Sequence, residues 1–377
     1  MPNIQDHALA VGEMSLRERP FDALDALILS QLVYLPMEGL LKKRTDRCSV
    51  AEAWEYLREN VDIDTLDIFQ KKRYRLYETC AGLARYQSWE MEGYLNEVDE
   101  EREMQFCACT YDLMNGVRCI AFRGTDLHIV GWKEDLNMAY MTVPSQHEAV
   151  EYVHRAAKEN GDVLYLCGHS KGGNLGVYAG ACTHPSARER IRRVYAFDGP
   201  GVDEETIHSH GYALISDRIE SYLPQSSVVG MLLNYHPVYT VVRANTLGVL
   251  QHDVMTWQIR QGDFIRLEEV DMTGKVTDEA IHAWLASMDM EERRLLVDTL
   301  YQVVDASQAQ LVTELVEDWR DSAARMLEAI RDLDQGVKKS VRRMLRSLFA
   351  TGANEVIAGI VQSLTRREWA ADEEENS

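Results

Sequence analysis

Ser170 stands in the run Gly168-His169-Ser170-Lys171-Gly172-Gly173. The residues before it, Val163 to Cys167, form an apolar stretch of buried-strand type. Those after it, Asn174 to Ala181, are rich in small side chains that let a helix lie close on a sheet. A serine on a sharp turn between strand and helix presents its hydroxyl at the strand's end, and glycines at 168 and 172 keep Cβ atoms out of a crowded corner. This is the pattern of a nucleophile elbow. A serine hydroxyl attacks only when a base takes its proton, and that base needs a third group to fix its tautomer and stabilise its cation.

The base and acid are expected downstream, on loops at the end of later strands. His184 comes too soon after the elbow, and His208 and His210 flank Ser209 in a polar loop as a second choice. His252 is best placed, because Val249-Leu250-Gln251-His252-Asp253 follows the apolar run near Val241 and precedes Trp257. For the acid, Asp198 closes the run Val194 to Phe197, and a carboxylate at the C-terminal edge of a parallel strand lies on the rim where such sheets keep their sites. Asp217 precedes its strand and falls on the opposite edge. Asp253 adjoins His252, but adjacent side chains on extended chain point apart.

An oxyanion needs two donors. The backbone N–H of Lys171, the residue after the serine, is one. The second is expected from Thr125, where Ile120-Ala121-Phe122-Arg123-Gly124-Thr125 ends an early strand in a glycine turn. Arg123 would tie that loop down through Asp126 or Asp135. The Lys171 side chain opposes the helix dipole in a first turn and is expected to reach solvent rather than an anionic substrate. Such chemistry requires no metal or organic cofactor.

The elements that must position these groups are legible as patterns. Residues 20–93 read as helical, with Phe21, Leu24, Leu27, Ile28 and Leu32 on helical spacing. Phe106 to Tyr111 and Val117 to Phe122 flank Asn115-Gly116, a hairpin signal. From about Glu148 onward, helices alternate with strands at Val163, Arg193, Arg218 and Tyr239, which implies a mainly parallel sheet with crossover helices. Trp257 to Ile259 and Phe264 to Leu267 would add a strand pair at one edge. The expected organisation is a tail over 1–19, an α/β domain with a helical lead-in over 20–276, a helical region over 277–370 and a disordered acidic tail over 371–377.

Composition bounds the function. The net charge of −21 argues against nucleic acid as a partner, which needs a cationic footprint. The seven cysteines form an odd set without paired metal-type spacing, so neither a disulfide framework nor a structural zinc is expected. No apolar run is long enough to span a bilayer and the first twenty residues do not form a signal peptide, so a cytoplasmic location is expected. Within 337–349, five basic residues interleave with Val337, Val341, Leu345, Leu348 and Phe349. Such a helix can lie on anionic lipid, or its basic face can pair with the protein's own acidic surface.

Phe122-Arg123-Gly124-Thr125, Gly131-Trp132-Lys133-Glu134-Asp135-Leu136 and the elbow together resemble the class 3 lipases. The resemblance is closer to the bacterial lipase-like family called domain of unknown function 2974, which also carries lysine after the serine. It extends to Asp22-Ala23-Leu24 through Tyr34, to Pro224 through Leu233 and to Gln251-His252-Asp253 with Trp257. It implies an α/β-hydrolase fold and a serine hydrolase acting on a small-molecule or lipid ester. Ser170 would be the nucleophile, His252 the base, and Thr125 and Lys171 the oxyanion donors. In class 3 lipases the triad aspartate follows the strand that here ends near Leu223, where this chain has Ser226 and Ser227. Either the acid has moved to Asp198, or the site is a dyad, or the fold is kept as a binding or scaffolding protein without turnover.

Overall fold

The computed structural model describes residues 2–270 apart from 127–128, 139–140, 160–161, 228, 231–235 and 247. Beyond these it describes 288–289 and residues scattered between 291 and 343. The expectations for 277–370, for the basic stretch within it and for 371–377 lie largely or wholly outside the described residues. Among the described residues no helix is long and apolar enough to cross a membrane.

The strands run β1 (Arg47–Ser49), β2 (Glu90–Asp99), β3 (Met104–Asp112), β4 (Val117–Phe122), β5 (Val163–His169), β6 (Ile191–Phe197), β7 (Ile219–Pro224), β8 (Tyr239–Val242), β9 (Ile259–Arg260), β10 (Asp263–Phe264) and β11 (Arg266–Leu267). One sheet takes β1 to β8 in sequence order and ends on β11. Its middle, β4 to β8, is parallel. Antiparallel pairs close it at both ends: β1–β2–β3–β4 on one side, and β11 against β8 on the other. The molecule is therefore mixed α/β, with the parallel strands flanked by helices.

The helices are α1 (Ile4–Val11), α2 (Ala23–Leu32), α3 (Val50–Asn60), α4 (Ile68–Ala81), α5 (Ile129–Asn137), α6 (Pro144–Glu159) and α7 (Lys171–Cys182), followed by shorter ones. Side-chain alternation along the strands divides the core in two. Cys107, Cys109, Tyr111, Cys119, Ala121, Cys167, Tyr195 and Phe197 face the N-terminal helices, with Ile4, Leu27 and Leu57 among their partners. Phe106, Ala108, Ile120, Phe122, Leu164, Leu166 and Val194 face α6 and α7. The cysteines are mostly small core residues, as their sequence setting suggests. All seven are free and six are buried, Cys182 being exposed.

Two expectations change. Residues 1–19, read as a tail, begin with α1, whose Asn3–Asp6 capping box starts a helix that buries Ile4, Ala8 and Val11. The stretch 20–93, read as helical throughout, contains β1 and the start of β2. β2 is hard to read because Glu90, Glu92, Asn96, Glu97 and Asp99 dilute its apolar positions. The buried Glu92 is held by the guanidiniums of Arg118 and Arg47. α2 explains the dense apolar run after Phe21: every residue from Leu24 to Leu32 is buried, and the helix packs across β4, β5 and β6. Its one buried charge, Asp25, accepts from Arg85 Nε at 2.9 Å and Tyr86 Oη at 3.1 Å.

α7 lies close on the sheet because of its glycines. A Cβ at Gly172 would come 2.1 Å from the Phe122 carbonyl oxygen, whereas one at Gly176 would meet nothing nearer than Val194 Cγ1 at 3.6 Å. Gly172→Ala is therefore expected to destabilise by about 2 kcal/mol or more through overpacking. Gly176→Ala should be neutral or stabilise by up to about 1 kcal/mol through helix propensity. Urea unfolding of the two variants checks the contrast.

Candidate active site

Ser170 and Asp198 are each the first residue after a parallel strand, and the register pairs His169 with Phe197 just before them. Each turns its side chain out through a left-handed backbone, with φ +58° at Ser170 and +46° at Asp198. These conformations cost on the order of 1–3 kcal/mol each and persist only where neighbours enforce them. Here the neighbours are backbone. Ser170 N–H donates to Phe197 O at 2.9 Å, Asp198 N–H to Tyr222 O at 2.8 Å, and Gly173 N–H to Ser170 O at 2.9 Å.

The structure brings His252 to Asp198. His252 Nδ1 lies 2.7 Å from Asp198 Oδ2. The carboxylate can only accept, so Nδ1 carries the proton and Nε2 is left as the basic nitrogen. Asp198 is buried at 1% exposure, and its second oxygen accepts from Ser227 Oγ at 2.5 Å and from Gly230 N–H at 3.1 Å. Ser227, one of the two serines found where class 3 lipases have their aspartate, thus serves the carboxylate of the neighbouring strand. The turn Gly248–His252 is itself fixed. Trp257 Nε1 donates to Gln251 O at 2.8 Å, and Ser226 N–H donates to Gln251 Oε1 at 2.8 Å. Asp253 points away and pairs with Lys72 at 2.6 Å, as the extended-chain argument requires. His184, His208 and His210 are exposed and remote from this cluster in their contacts. His208 pairs with Glu204 and His184 bonds Ser186.

The Gly124–Thr125 loop packs directly on the elbow. A Cβ at Gly124 would lie 2.6 Å from His169 O and 3.0 Å from Ser170 Cβ, so only glycine lets the loop approach. Lys171 opens α7, where its N–H has no acceptor within the helix. Arg123 anchors the loop through Asp126 at 3.5 Å and Asn96 at 2.8 Å, which selects Asp126 from the two carboxylates considered.

The Lys171 side chain departs from expectation. Instead of reaching solvent it is 1% exposed, and Nζ donates to Glu134 Oε2 and to Gln105 O, both at 2.9 Å. Glu134 is fully buried and also accepts from Gln105 N–H at 3.0 Å and Ser145 N–H at 2.9 Å. The charge is tolerated against the helix dipole because a carboxylate and a carbonyl replace its water. This pair clamps α5, the helix after the Gly124–Thr125 loop, to the residue after the serine. Asp135 Oδ1 lies 3.8 Å from the same ammonium and is sealed from solvent, while the side chain as a whole stays 30% exposed. Burial pushes the Asp135 carboxyl up to about 6, against the pull of Lys171 and of the Thr125 hydroxyl.

Sequence reasoning gives no role to Glu134, Ser227, Tyr34 or His169. A lysine placed against the helix dipole was the available signal for Glu134, since a charge in that position needs a partner.

Lys171→Met would leave Glu134 buried without its cation, and a loss of about 3–5 kcal/mol is expected. Lys171→Met with Glu134→Gln should recover most of it in urea unfolding. For Asp135 the folded carboxyl holds its proton up to about 6 against an ordinary 3.8. Between those values the folded state binds a proton that the unfolded state has released, so stability falls as pH rises through that window. Asp135→Asn is expected to flatten that slope, measured as the urea midpoint from pH 4 to 7.

No curated protein matches the chain. The model of the Mbeg1-like family matches residues 81–302, more than half of the sequence, a span that holds Thr125, Ser170, Lys171, Asp198 and His252. On that match the chain belongs to the Mbeg1-like family.

Proposed function

We propose that this chain is a serine hydrolase of the α/β-hydrolase fold that cleaves a carboxylic ester, of small-molecule or lipid type, through an acyl-enzyme on Ser170. The observation that carries this reading is the 2.7 Å contact between His252 Nδ1 and the buried Asp198, beside a serine held at positive φ. Family membership supports it at a coarser level, since the Mbeg1-like family is lipase-like. The resemblance to class 3 lipases adds the ester as substrate class.

In this mechanism His252 Nε2 takes the proton of Ser170 Oγ as the oxygen attacks the ester carbonyl, and Asp198 stabilises the imidazolium without taking a proton. The oxyanion is held by the N–H groups of Thr125 and Lys171, which are fixed before substrate arrives by the Lys171–Glu134 clamp and the packing of Gly124. His252 returns its proton to the leaving alcohol. A water, deprotonated by the same nitrogen, then releases the acid and frees Ser170. The scaffold reading rested on a missing acid, and a carboxylate now stands at hydrogen-bond distance from the base.

A fluorophosphonate probe is expected to label the full chain and not Ser170→Ala. With p-nitrophenyl esters of graded acyl length, Asp198→Asn should lower kcat by about four orders of magnitude, because the asparagine favours the wrong imidazole tautomer. A folded wild-type protein that neither labels nor turns over any of these esters would refute the reading.

A further inference from the structure

Tyr34 lies in the turn after α2 and outside the span matched by the family model, yet its hydroxyl reaches the centre of the candidate site. Gly124 N–H donates to Tyr34 Oη at 3.0 Å. The same oxygen is 3.4 Å from His169 Nδ1. On the far side of that ring, Nε2 is 2.8 Å from the backbone carbonyl of His252. Tyr34 and His169 are both buried, at 7% and 4% exposure. The Arg73 guanidinium carbon sits over the tyrosine ring, 3.6 Å from its centroid, and Arg73 is itself fixed to Gln31 Oε1 at 3.1 Å.

The partners determine each proton. A carbonyl can only accept, so His169 carries hydrogen on Nε2 and leaves Nδ1 bare. The Tyr34 oxygen already accepts from Gly124, and its own proton points to Nδ1. The direction is therefore continuous, from the Gly124 amide to the tyrosine, from the tyrosine to His169, and from His169 to the main chain of His252. Burial, with the charges of His252 and Arg73 nearby, pushes the His169 pKa well below the ordinary histidine value, which favours the neutral ring in this chain of donors.

We propose that Tyr34 and His169 are positioning residues that set the oxyanion loop and the base-bearing turn relative to each other, making the N-terminal helices part of the catalytic unit. Gly124 immediately precedes the oxyanion donor Thr125, and His252 is the base, so the three hydrogen bonds join the two halves of the site. The function assigned to these two residues rests on the hydrolase reading; the hydrogen-bonded connection itself does not.

The test uses the full chain and two readouts. In fluorophosphonate labelling, Tyr34→Phe keeps the ring under Arg73 and removes only the hydroxyl. It is expected to slow labelling about tenfold, the scale of a small misplacement of reacting groups. His169→Gln can still donate to the His252 carbonyl and should retain most of the rate, whereas His169→Phe should not. Tyr34→Phe combined with His169→Phe should be no slower than His169→Phe alone, because a broken chain cannot be broken again. Independently of turnover, 15N spectra of the histidine rings should report His169 as the neutral Nε2–H tautomer from pH 5 to 8. Tyr34→Phe should shift its Nδ1 signal and displace the ring signals of His252. Additive losses in the double variant, or His252 signals and labelling rate both unmoved by Tyr34→Phe, would overturn the proposal. An unlabelled wild type with the expected ring spectra would instead count against the hydrolase reading alone.

Discussion

The register between β5 and β6 is the constraint on which the site depends. His169 faces Phe197 across a parallel pair, so the residues that follow, Ser170 and Asp198, leave the sheet side by side. A slip of one residue would turn every side chain of one strand to the opposite core. It would bury the serine or the carboxylate under helices. The two-sided burial of these strands forbids that slip, because Leu164 and Leu166 must face α7 while Cys167 faces the N-terminal layer. Packing far from the chemistry thereby fixes the chemistry.

Around that register the polar groups are arranged so that almost none is left to water. Both oxygens of Asp198 are engaged, one by His252 and one by the β7 side through Ser227 and Gly230. Lys171 and Glu134 satisfy each other and three backbone groups between them. Buried networks of this kind are weak as sources of stability but strong as sources of uniqueness, since each alternative packing strands a charge. The elbow is thus held by hydrogen bonds on the strand side and by an ion pair on the helix side.

The sequence disclosed much of this because the signals were local. The elbow, the Asn115-Gly116 hairpin and the order of strands from β3 to β8 follow from glycines and apolar runs. Asp198 is expected from the rule that parallel sheets work at one edge, and His252 from its place on a loop after a late strand downstream of the serine. What escaped was set by tertiary partners. β2 hid behind its acids, of which Glu90 and Glu92 are met by arginines distant in sequence. The direction of the Lys171 side chain depended on a carboxylate thirty-seven residues away. The involvement of Tyr34 could not be read at all, since nothing in a buried tyrosine at the end of a helix announces which loop its hydroxyl will meet.

The completely buried helix α2 has a consequence for how the protein is made. Its docking surface is built from β4, β5 and β6, and β5 begins only at Val163. At ribosomal rates of about 5–20 residues per second, the helix leaves the exit tunnel on the order of ten seconds before its surface exists. During that interval a mainly apolar segment, Leu24 to Leu32, has α1 and α4 beside it but lacks the sheet it packs on. Keeping the chain soluble during synthesis therefore depends in part on shielding this one helix until the central strands are made.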